Sequence, residues 1–190
     1  MQVLFVAALA EEGEALEEQV PVLHLGVGKV QAATVLAHHL ATAPRLPELV
    51  VNVGTAGGLG DQQLGEVHAV CRVHQHDFDH EGLAAFVGRP LPGGPIPLPG
   101  PSDARARLAT GDRVILDARD RAGLAASGAD LVDMEGYAVA ATCRRFGVPV
   151  WLVKAVSDAA DDDAALTFHQ TLALCSTRLA EWARLRGLLP

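Results

Sequence analysis

The sequence predicts an α/β protein, a three-layer α/β/α sandwich with a mixed, largely parallel central sheet. Short continuous apolar runs alternate with segments of helical periodicity along most of the 190 residues, the order expected when strands and crossover helices succeed one another. Hydrophobic residues make up 49% and charged residues 20% of the chain, which is typical of a packed globular protein. No linker-like segment divides the chain, so we expect one domain spanning residues 1–190.

The order of the elements follows from the pattern of apolar residues. Continuous apolar runs, typical of strands buried on both faces, predict strands at residues 3–9, 22–25, 49–53, 66–73, 114–116, 131–133 and 148–157. Helical spacing predicts helices at residues 11–19, 30–41, 135–146 and 165–185. Residues 88–101 are rich in Pro and Gly and are predicted to form a long loop.

Charge and hydropathy exclude several classes of partner. The formal net charge of −8 disfavours nucleic acids and anionic membranes. The apolar N-terminus lacks a basic segment and runs directly into Glu11, which indicates a buried strand rather than a signal peptide. No apolar run reaches the roughly 18 residues of a membrane span. We therefore expect a cytoplasmic protein without nucleic-acid or membrane partners.

The metal-binding residue types show no ligand spacing. Cys71, Cys143 and Cys175 are scattered and odd in number, which argues against a disulfide framework and a zinc site and fits a reducing compartment. The eight histidines form no metal-binding motif. The run 161–163 of three aspartates lacks the glycine and distal glutamate of a calcium loop, which favours a solvated loop. We expect neither a metal nor a cofactor.

Glycine-rich turns follow two of the predicted strands. Residues 26–29 (GVGK) lack the spacing of a phosphate-binding loop and the third glycine of a dinucleotide fingerprint, which favours a simple tight turn. Residues 54–58 (GTAGG) follow a buried strand. There, glycines allow a ligand to approach the backbone, although a plain strand-to-helix turn accounts for them equally well.

Acidic residues stand at two further strand ends. Asp133 and Glu135 flank Met134, and Asp158 follows Ser157. Ligands bind at the carboxyl ends of strands in such sheets, and a carboxyl group at a buried strand end must be paired, protonated or catalytic. The alternative is ordinary helix capping, because anions are favoured in the first turn of a helix.

In this order the motifs resemble the purine nucleoside phosphorylase superfamily, and most closely the 5′-methylthioadenosine/S-adenosylhomocysteine nucleosidase family. The resemblance covers nearly the whole chain. Its parts are the opening strand running into Ala10-Glu11-Glu12, then residues 26–30, 52–59, 76–79 and 110–112, Asp133-Met134-Glu135-Gly136, and Ser157-Asp158.

The resemblance implies a role for each residue of the site. Glu12 would activate the attacking water, with Glu11 as the alternative register. Met134 and Glu135 would hold the ribose, Ser157 and Asp158 would recognise and protonate the purine, and an aromatic side chain, Phe168, would stack on the base region. Thr55, Ala56 and Gly57 would supply further contacts near the ribose.

The family chemistry requires two carboxyl groups in opposite protonation states. Cleavage passes through an oxocarbenium-like state, so Glu12 must be ionised to accept a proton from water while Asp158 holds a proton for the purine near pH 7. Asn52 stands where hexameric phosphorylases of the superfamily carry a phosphate-binding arginine, which favours water as the nucleophile. Asp158 stands where the trimeric enzymes for 6-oxopurines use asparagine, which favours a 6-amino base.

The resemblance therefore implies a cofactor-independent nucleosidase that acts on a nucleoside substrate, releases adenine, works in purine and methionine salvage and forms a homodimer. The alternatives are a futalosine or aminodeoxyfutalosine hydrolase, a purine nucleoside phosphorylase and a non-catalytic nucleoside-binding protein.

The chain departs from the family in three places: a hairpin is missing between Glu18 and Val22, Asp133 replaces a glutamate, and residues 88–101 differ from an aromatic loop that in relatives reaches the neighbouring subunit's site. Phe86 is the remnant of that loop.

Overall fold

The computed structural model describes residues 1–161 and 163–190. Its strands are β1 (Val3–Ala7), β2 (Val22–His24), β3 (Leu49–Gly58), β4 (Val67–Gln75), β5 (Ile96–Pro97), β6 (Ala106–Thr110), β7 (Leu131–Asp133) and β8 (Val150–Asp158). Its helices are α1 (Ala10–Glu17), α2 (Lys29–Thr42), α3 (His80–Val87), α4 (Ala118–Ala126), α5 (Gly136–Phe146) and α6 (Ala164–Leu185).

The strands form one mixed sheet that curls back on itself. Its order is β2-β1-β3-β7-β6-β4-β5, and β8 pairs with both β3 and β4. The β3–β8, β1–β3, β1–β2, β4–β6 and β6–β7 pairs are parallel, whereas β7 pairs antiparallel with the end of β3 and β4 antiparallel with β8. Five of the strands therefore close into a ring, in the order β3, β7, β6, β4 and β8. The predicted α/β fold class is confirmed, and the ring is a feature that the sequence did not predict.

Apolar residues fill both sides of the central strands because successive strand residues point to opposite faces. On one face, Val50 and Leu152 belong to a core cluster that includes residues of α2 and α5. On the other face, Val51 and Val153 belong to a second cluster with residues of α1 and α6. The continuous apolar runs of the sequence thus correspond to strands covered by helices on both sides.

The predicted strand at residues 114–116 is wrong. Val114 is 60% and Leu116 45% exposed, and residues 111–117 form an irregular segment. The strand in this region is β6, which pairs in parallel with β4 and β7. Arg107 interrupts its apolar pattern, because this side chain is exposed and bonded to Asp130. Sequence periodicity therefore points to the later Val-Ile-Leu run instead.

Two helices and a short strand were not predicted from the sequence. None of the residues of α3 or α4 is buried, so neither helix has the apolar stripe by which surface helices are recognised. The loop predicted at residues 88–101 is largely irregular, but β5 lies within it and pairs antiparallel with β4. Between α1 and β2 the chain makes only a turn, in which the Gln19 and Val20 N–H groups donate to Leu16 O.

The close packing around Gly136, the first residue of α5, predicts that adding a single methyl group there destabilises the fold. A Cβ at Gly136 would stand 2.6 Å from Leu108 Cδ2 and 2.9 Å from Asp133 Oδ2. We expect Gly136→Ala to lower the free energy of unfolding by about 1–3 kcal/mol, because a packed interior cannot absorb the added group. The measurement is urea-induced unfolding followed by circular dichroism.

Gly123 provides the matched control for this substitution. It lies within α4, and a Cβ there would meet nothing within 4 Å. Gly123→Ala should therefore raise the free energy of unfolding by up to about 1 kcal/mol, because alanine favours the helix. Equal stability of the Gly136→Ala variant and the wild type would contradict the packing described here.

Candidate active site

A cavity of about 320 Å³ opens at the carboxyl ends of the central strands. The residues named from the sequence all line it: Glu12, Thr55, Ala56, Gly57, Met134, Glu135, Ser157, Asp158 and Phe168. They come from β3, β8, the segment after β7 and the starts of α1 and α6. The topology thus brings together residues that are more than 150 positions apart in the chain, at the edge where ligands bind in sheets of this kind.

Glu12 is held in the first turn of α1 by donors from two directions. Its Oε1 accepts hydrogen bonds from the Thr55 backbone N–H and the Thr55 hydroxyl, both at 2.7 Å. Its Oε2 accepts one from the Leu9 N–H at 3.0 Å, which also caps the helix. Only 5% of the residue is exposed, yet it lines the cavity. Glu11, the alternative register, is exposed and does not line the cavity, so the geometry favours Glu12.

Asp158 ends β8 beside the glycine-rich end of β3. The Ser157 hydroxyl donates to its Oδ2 at 2.7 Å, and the Ala160 N–H donates to its Oδ1 at 2.8 Å. The β3–β8 register shifts between Ala56 and Gly57, so that Gly57 pairs with Asp158. A Cβ at Gly57 would stand 3.1 Å from Asp158 Oδ1 and 3.0 Å from Ala160 Cβ. Glycine is needed here because the backbone and the carboxyl group lie so close.

Glu135 stands at the N-cap of α5 and is 7% exposed. Its Oε1 accepts a hydrogen bond from the Gly28 N–H at 2.7 Å. Gly28 has φ +90°, a conformation that favours glycine. The turn at residues 26–29 therefore holds a carboxylate. Burial, reinforced by the nearby charge of Asp133, raises the pKa of Glu135 to about 7.

Beneath the cavity lies an ion pair that sequence reasoning missed. Lys154 Nζ stands 2.9 Å from Asp133 Oδ2, and the two side chains are 3% and 1% exposed. Asp133 Oδ1 also accepts from the Thr110 hydroxyl at 2.6 Å, and its Oδ2 accepts from the Gly136 N–H at 2.8 Å. The sequence feature that could have indicated this ion pair is the lysine inside the apolar run of β8, because a charged side chain at a buried strand position must be paired.

Further lining residues come from segments that the sequence did not assign to a site. Val114 and Ile115, within the segment mistaken for a strand, and the preceding Arg113 line the cavity together with Leu9 and Val27. His169, beside Phe168 on α6, also lines it. The cavity wall therefore combines aliphatic and aromatic surface with carboxyl groups.

Some residues considered from the sequence lie away from the cavity. Asn52 is 1% exposed within β3, and its Nδ2 donates to Val6 O and Val53 O at 3.3 Å each. It does not line the cavity. Of the aspartate run, Asp162 lies outside the described residues. Within residues 1–161 and 163–190 no group of three or more His, Cys, Asp or Glu side chains could hold a metal ion.

No helix among the described residues is both long and apolar enough to cross a membrane.

The raised pKa of Glu135 predicts how stability depends on pH. Its value of about 7 exceeds the ordinary 4.5, so the folded state binds more protons than the unfolded state between these values. This carboxyl group therefore makes the free energy of unfolding fall as the pH rises through that window, by about 3 kcal/mol at most. Glu135→Gln should remove this dependence.

The measurement is urea-induced unfolding at about pH 5 and about pH 8. We expect Glu135→Gln to gain stability relative to the wild type at the higher pH, with the exposed Glu11→Gln as the control. If the difference in unfolding free energy between Glu135→Gln and the wild type is the same at both pH values, the Glu135 carboxyl group is not perturbed as described.

Comparison with known proteins identifies the family of the chain. Residues 9–185 match the model of the phosphorylase superfamily. A 5′-methylthioadenosine/S-adenosylhomocysteine nucleosidase from an Exiguobacterium strain is 30% identical over 190 residues, which cover 90% of this chain and 80% of that protein.

Two solved structures illustrate the shared fold. A 5′-methylthioadenosine/S-adenosylhomocysteine nucleosidase from Helicobacter pylori, with butyl-thio-DADMe-Immucillin-A, has a TM-score of 0.84 at 24% identity, covering 99% of this chain and 97% of its own. A futalosine hydrolase from the same organism has a TM-score of 0.81 at 22% identity, covering 96% of this chain and 95% of its own. The chain therefore belongs to the phosphorylase superfamily and, within it, to the 5′-methylthioadenosine/S-adenosylhomocysteine nucleosidase family.

Proposed function

We propose that the protein is an N-glycosyl hydrolase that releases adenine from adenine nucleosides such as methylthioadenosine, S-adenosylhomocysteine or a 5′-deoxyadenosine-type analogue. The observation that carries this proposal is the pair of carboxyl groups, Glu12 and Asp158, that line one cavity in different hydrogen-bonding surroundings. Two carboxyl groups with separate surroundings can divide the base and acid roles of glycosidic cleavage.

Glu12 is suited to the role of base. Its oxygens accept three hydrogen bonds from Leu9 and Thr55, which stabilise and orient a carboxylate. As water attacks C1′ of the sugar, Glu12 takes its proton. The C1′–N9 bond breaks, and its electron pair goes to the purine.

The role of acid is assigned to Asp158, which ends β8 and lines the cavity. Ser157 and Ala160 each donate to one of its oxygens and fix the orientation of the carboxyl group. In the proposed reaction its proton passes to N7 of the leaving adenine. Each of the two proton transfers supplies on the order of 10²–10⁴ in rate.

Glu135 is suited to binding the sugar hydroxyl groups. Only the Gly28 N–H donates to it among the described residues, so its remaining lone pairs are available to a ligand. Its charge, when ionised, also favours the cationic sugar of the transition state. Met134, Thr55, Ala56 and Gly57 complete the proposed sugar contacts, and Phe168 stacks on the base region.

The charges of the lining support water over phosphate as the nucleophile. The described lining carries four carboxyl groups, Glu12, Asp133, Glu135 and Asp158, and one guanidinium, Arg113. Arg113 is itself 2.8 Å from Asp120. Asp133 is paired with Lys154 and Asp158 carries a proton in the proposed reaction, so the negative charge comes from Glu12 and from Glu135 when it is ionised. That charge would repel an anionic nucleophile but not water. Asn52 does not line the cavity and therefore does not affect this choice of nucleophile.

An apolar surface on α3 supports the proposal of a homodimer. Phe86 is 89%, Val87 44% and Leu83 39% exposed. Neighbouring apolar side chains at such exposure mark an interaction site, and a second copy of the chain is the occupant that we propose. We further propose that residues 1–190 form one domain and that the enzyme works in the cytoplasm, in purine and methionine salvage.

The catalytic assignment is tested by Asp158→Asn and Glu12→Gln. Each should reduce adenine release from methylthioadenosine in phosphate-free buffer by about 10²-fold or more, because each removes one proton transfer. Chromatography measures the adenine, and futalosine is the comparison substrate. Circular dichroism should show an unchanged fold. Glu11→Gln is the control and should keep near-normal activity; loss of activity in Glu11→Gln alone, with Glu12→Gln active, would overturn the assignment.

The dimer is tested by light scattering on the wild type and two variants. The wild type should show twice the chain mass of 19.9 kDa. Phe86→Asp should be a monomer, because it places a charge in the proposed interface. Leu185→Asp, at an 85% exposed position at the end of α6, should remain a dimer. A monomeric wild type, or a Phe86→Asp dimer, would refute this interface.

A further inference from the structure

Lys154 is a buried cation that the proposed reaction does not use. It lies in β8 between the core residues Val153 and Ala155, and its side chain is 3% exposed. Its ion-pair partner is Asp133, at 2.9 Å. Removing an ammonium group from water costs several kcal/mol unless opposite charges compensate. Packing alone therefore does not explain why a lysine occupies this buried position.

Charged groups from several elements surround Lys154. Asp133 faces it from the end of β7, Glu12 from α1 and Glu135 from the start of α5. Its register partner on the neighbouring strand β4 is His68. Burial opposes the charge of Lys154, but the three carboxyl groups outweigh it and hold the pKa of the lysine above its ordinary value.

Gly54 allows the cation and Glu12 to approach each other. Gly54 is the register partner of Lys154 on β3. A Cβ at this position would stand 3.2 Å from Lys154 Nζ and also 3.2 Å from Glu12 Oε1. The two charged groups thus lie on either side of the space that the missing side chain leaves.

Asp133 holds Lys154 in place, and both of its carboxylate oxygens are already occupied by donors from the protein. Its two oxygens accept hydrogen bonds from the Thr110 hydroxyl and the Gly136 N–H as well as from Lys154. Such an anchored carboxylate holds the ammonium group in place, while Glu12 and Glu135 face the cavity. The charge of the lysine therefore acts on Glu12, which the reaction needs in ionised form, and on Glu135, whose charge favours the cationic sugar.

We propose that Lys154, anchored by Asp133, is a positioning residue whose charge allows Glu12 and Glu135 to be ionised together at the base of the cavity. This inference rests on the proposed function. Without the cation, neighbouring carboxylates repel each other, and one of them takes up a proton. A protonated Glu12 cannot accept a proton from water.

The test compares Lys154→Gln with Lys154→Arg. Glutamine can still donate a hydrogen bond to Asp133 but carries no charge, whereas arginine keeps the charge. In Lys154→Gln, the acid limb of the pH profile of kcat/KM for methylthioadenosine should move up by about 1–3 pH units. The activity of Lys154→Gln should recover at higher pH. The acid limb of the Lys154→Arg profile should lie at the same pH as that of the wild type. A lowered rate with an unmoved limb would overturn the inference and leave the proposed function intact.

A second variant tests the effect of Lys154 on Glu12 without removing any charge. Gly54→Ala inserts a methyl group between Lys154 and Glu12, so we expect the acid limb of the kcat/KM profile to move to higher pH. An acid limb at the wild-type pH would count against the inference. Potentiometric titration of the folded proteins gives a readout that does not depend on turnover. If the wild type releases no adenine, the proposed function fails. The inference then stands only if carboxyl protonation moves to higher pH in Lys154→Gln and not in Lys154→Arg.

Discussion

The pairing of β3 with β8 is the constraint on which the site depends. The two strands run parallel from Val50 opposite Val150 to Ala56 opposite Val156, and the register then shifts so that Gly57 meets Asp158. Helices cover both faces of this pair, which fixes its position in the core. Because both strands end at the same edge, Thr55, which holds Glu12, lies beside the strand end that carries Asp158.

Electrostatics then distinguish carboxyl groups that are chemically alike. Glu12 accepts three hydrogen bonds from the protein, Glu135 accepts one, and Asp133 is bound in an ion pair with Lys154. Burial alone would drive such groups to take up protons, whereas donors and a nearby cation oppose this. The surroundings of each group, more than its residue type, determine whether it can act as a base, bind a sugar hydroxyl group or anchor a lysine.

Much of the fold followed from the sequence, because continuous apolar runs mark buried strands and their ends mark the ligand edge. The site residues were named from the family resemblance, and the structure brings all of them to one cavity. The strand β6 was missed because Arg107 interrupts its apolar pattern. The helices α3 and α4 were missed because they are exposed and have no buried apolar stripe. The environment of Lys154 could not be predicted, because its partners come from three other elements. Asn52 bonds within the sheet and does not line the cavity, which its position in the sequence could not reveal.

In the proposed reaction, water activated by Glu12 attacks the sugar. The most direct test identifies the sugar product when the enzyme acts on methylthioadenosine with excess inorganic phosphate, using phosphorus NMR and mass spectrometry. We expect free methylthioribose, no phosphorylated sugar and a rate of adenine release that is independent of phosphate. A sugar 1-phosphate as the main product would show that phosphate, not water, is the nucleophile and would refute the proposed hydrolysis.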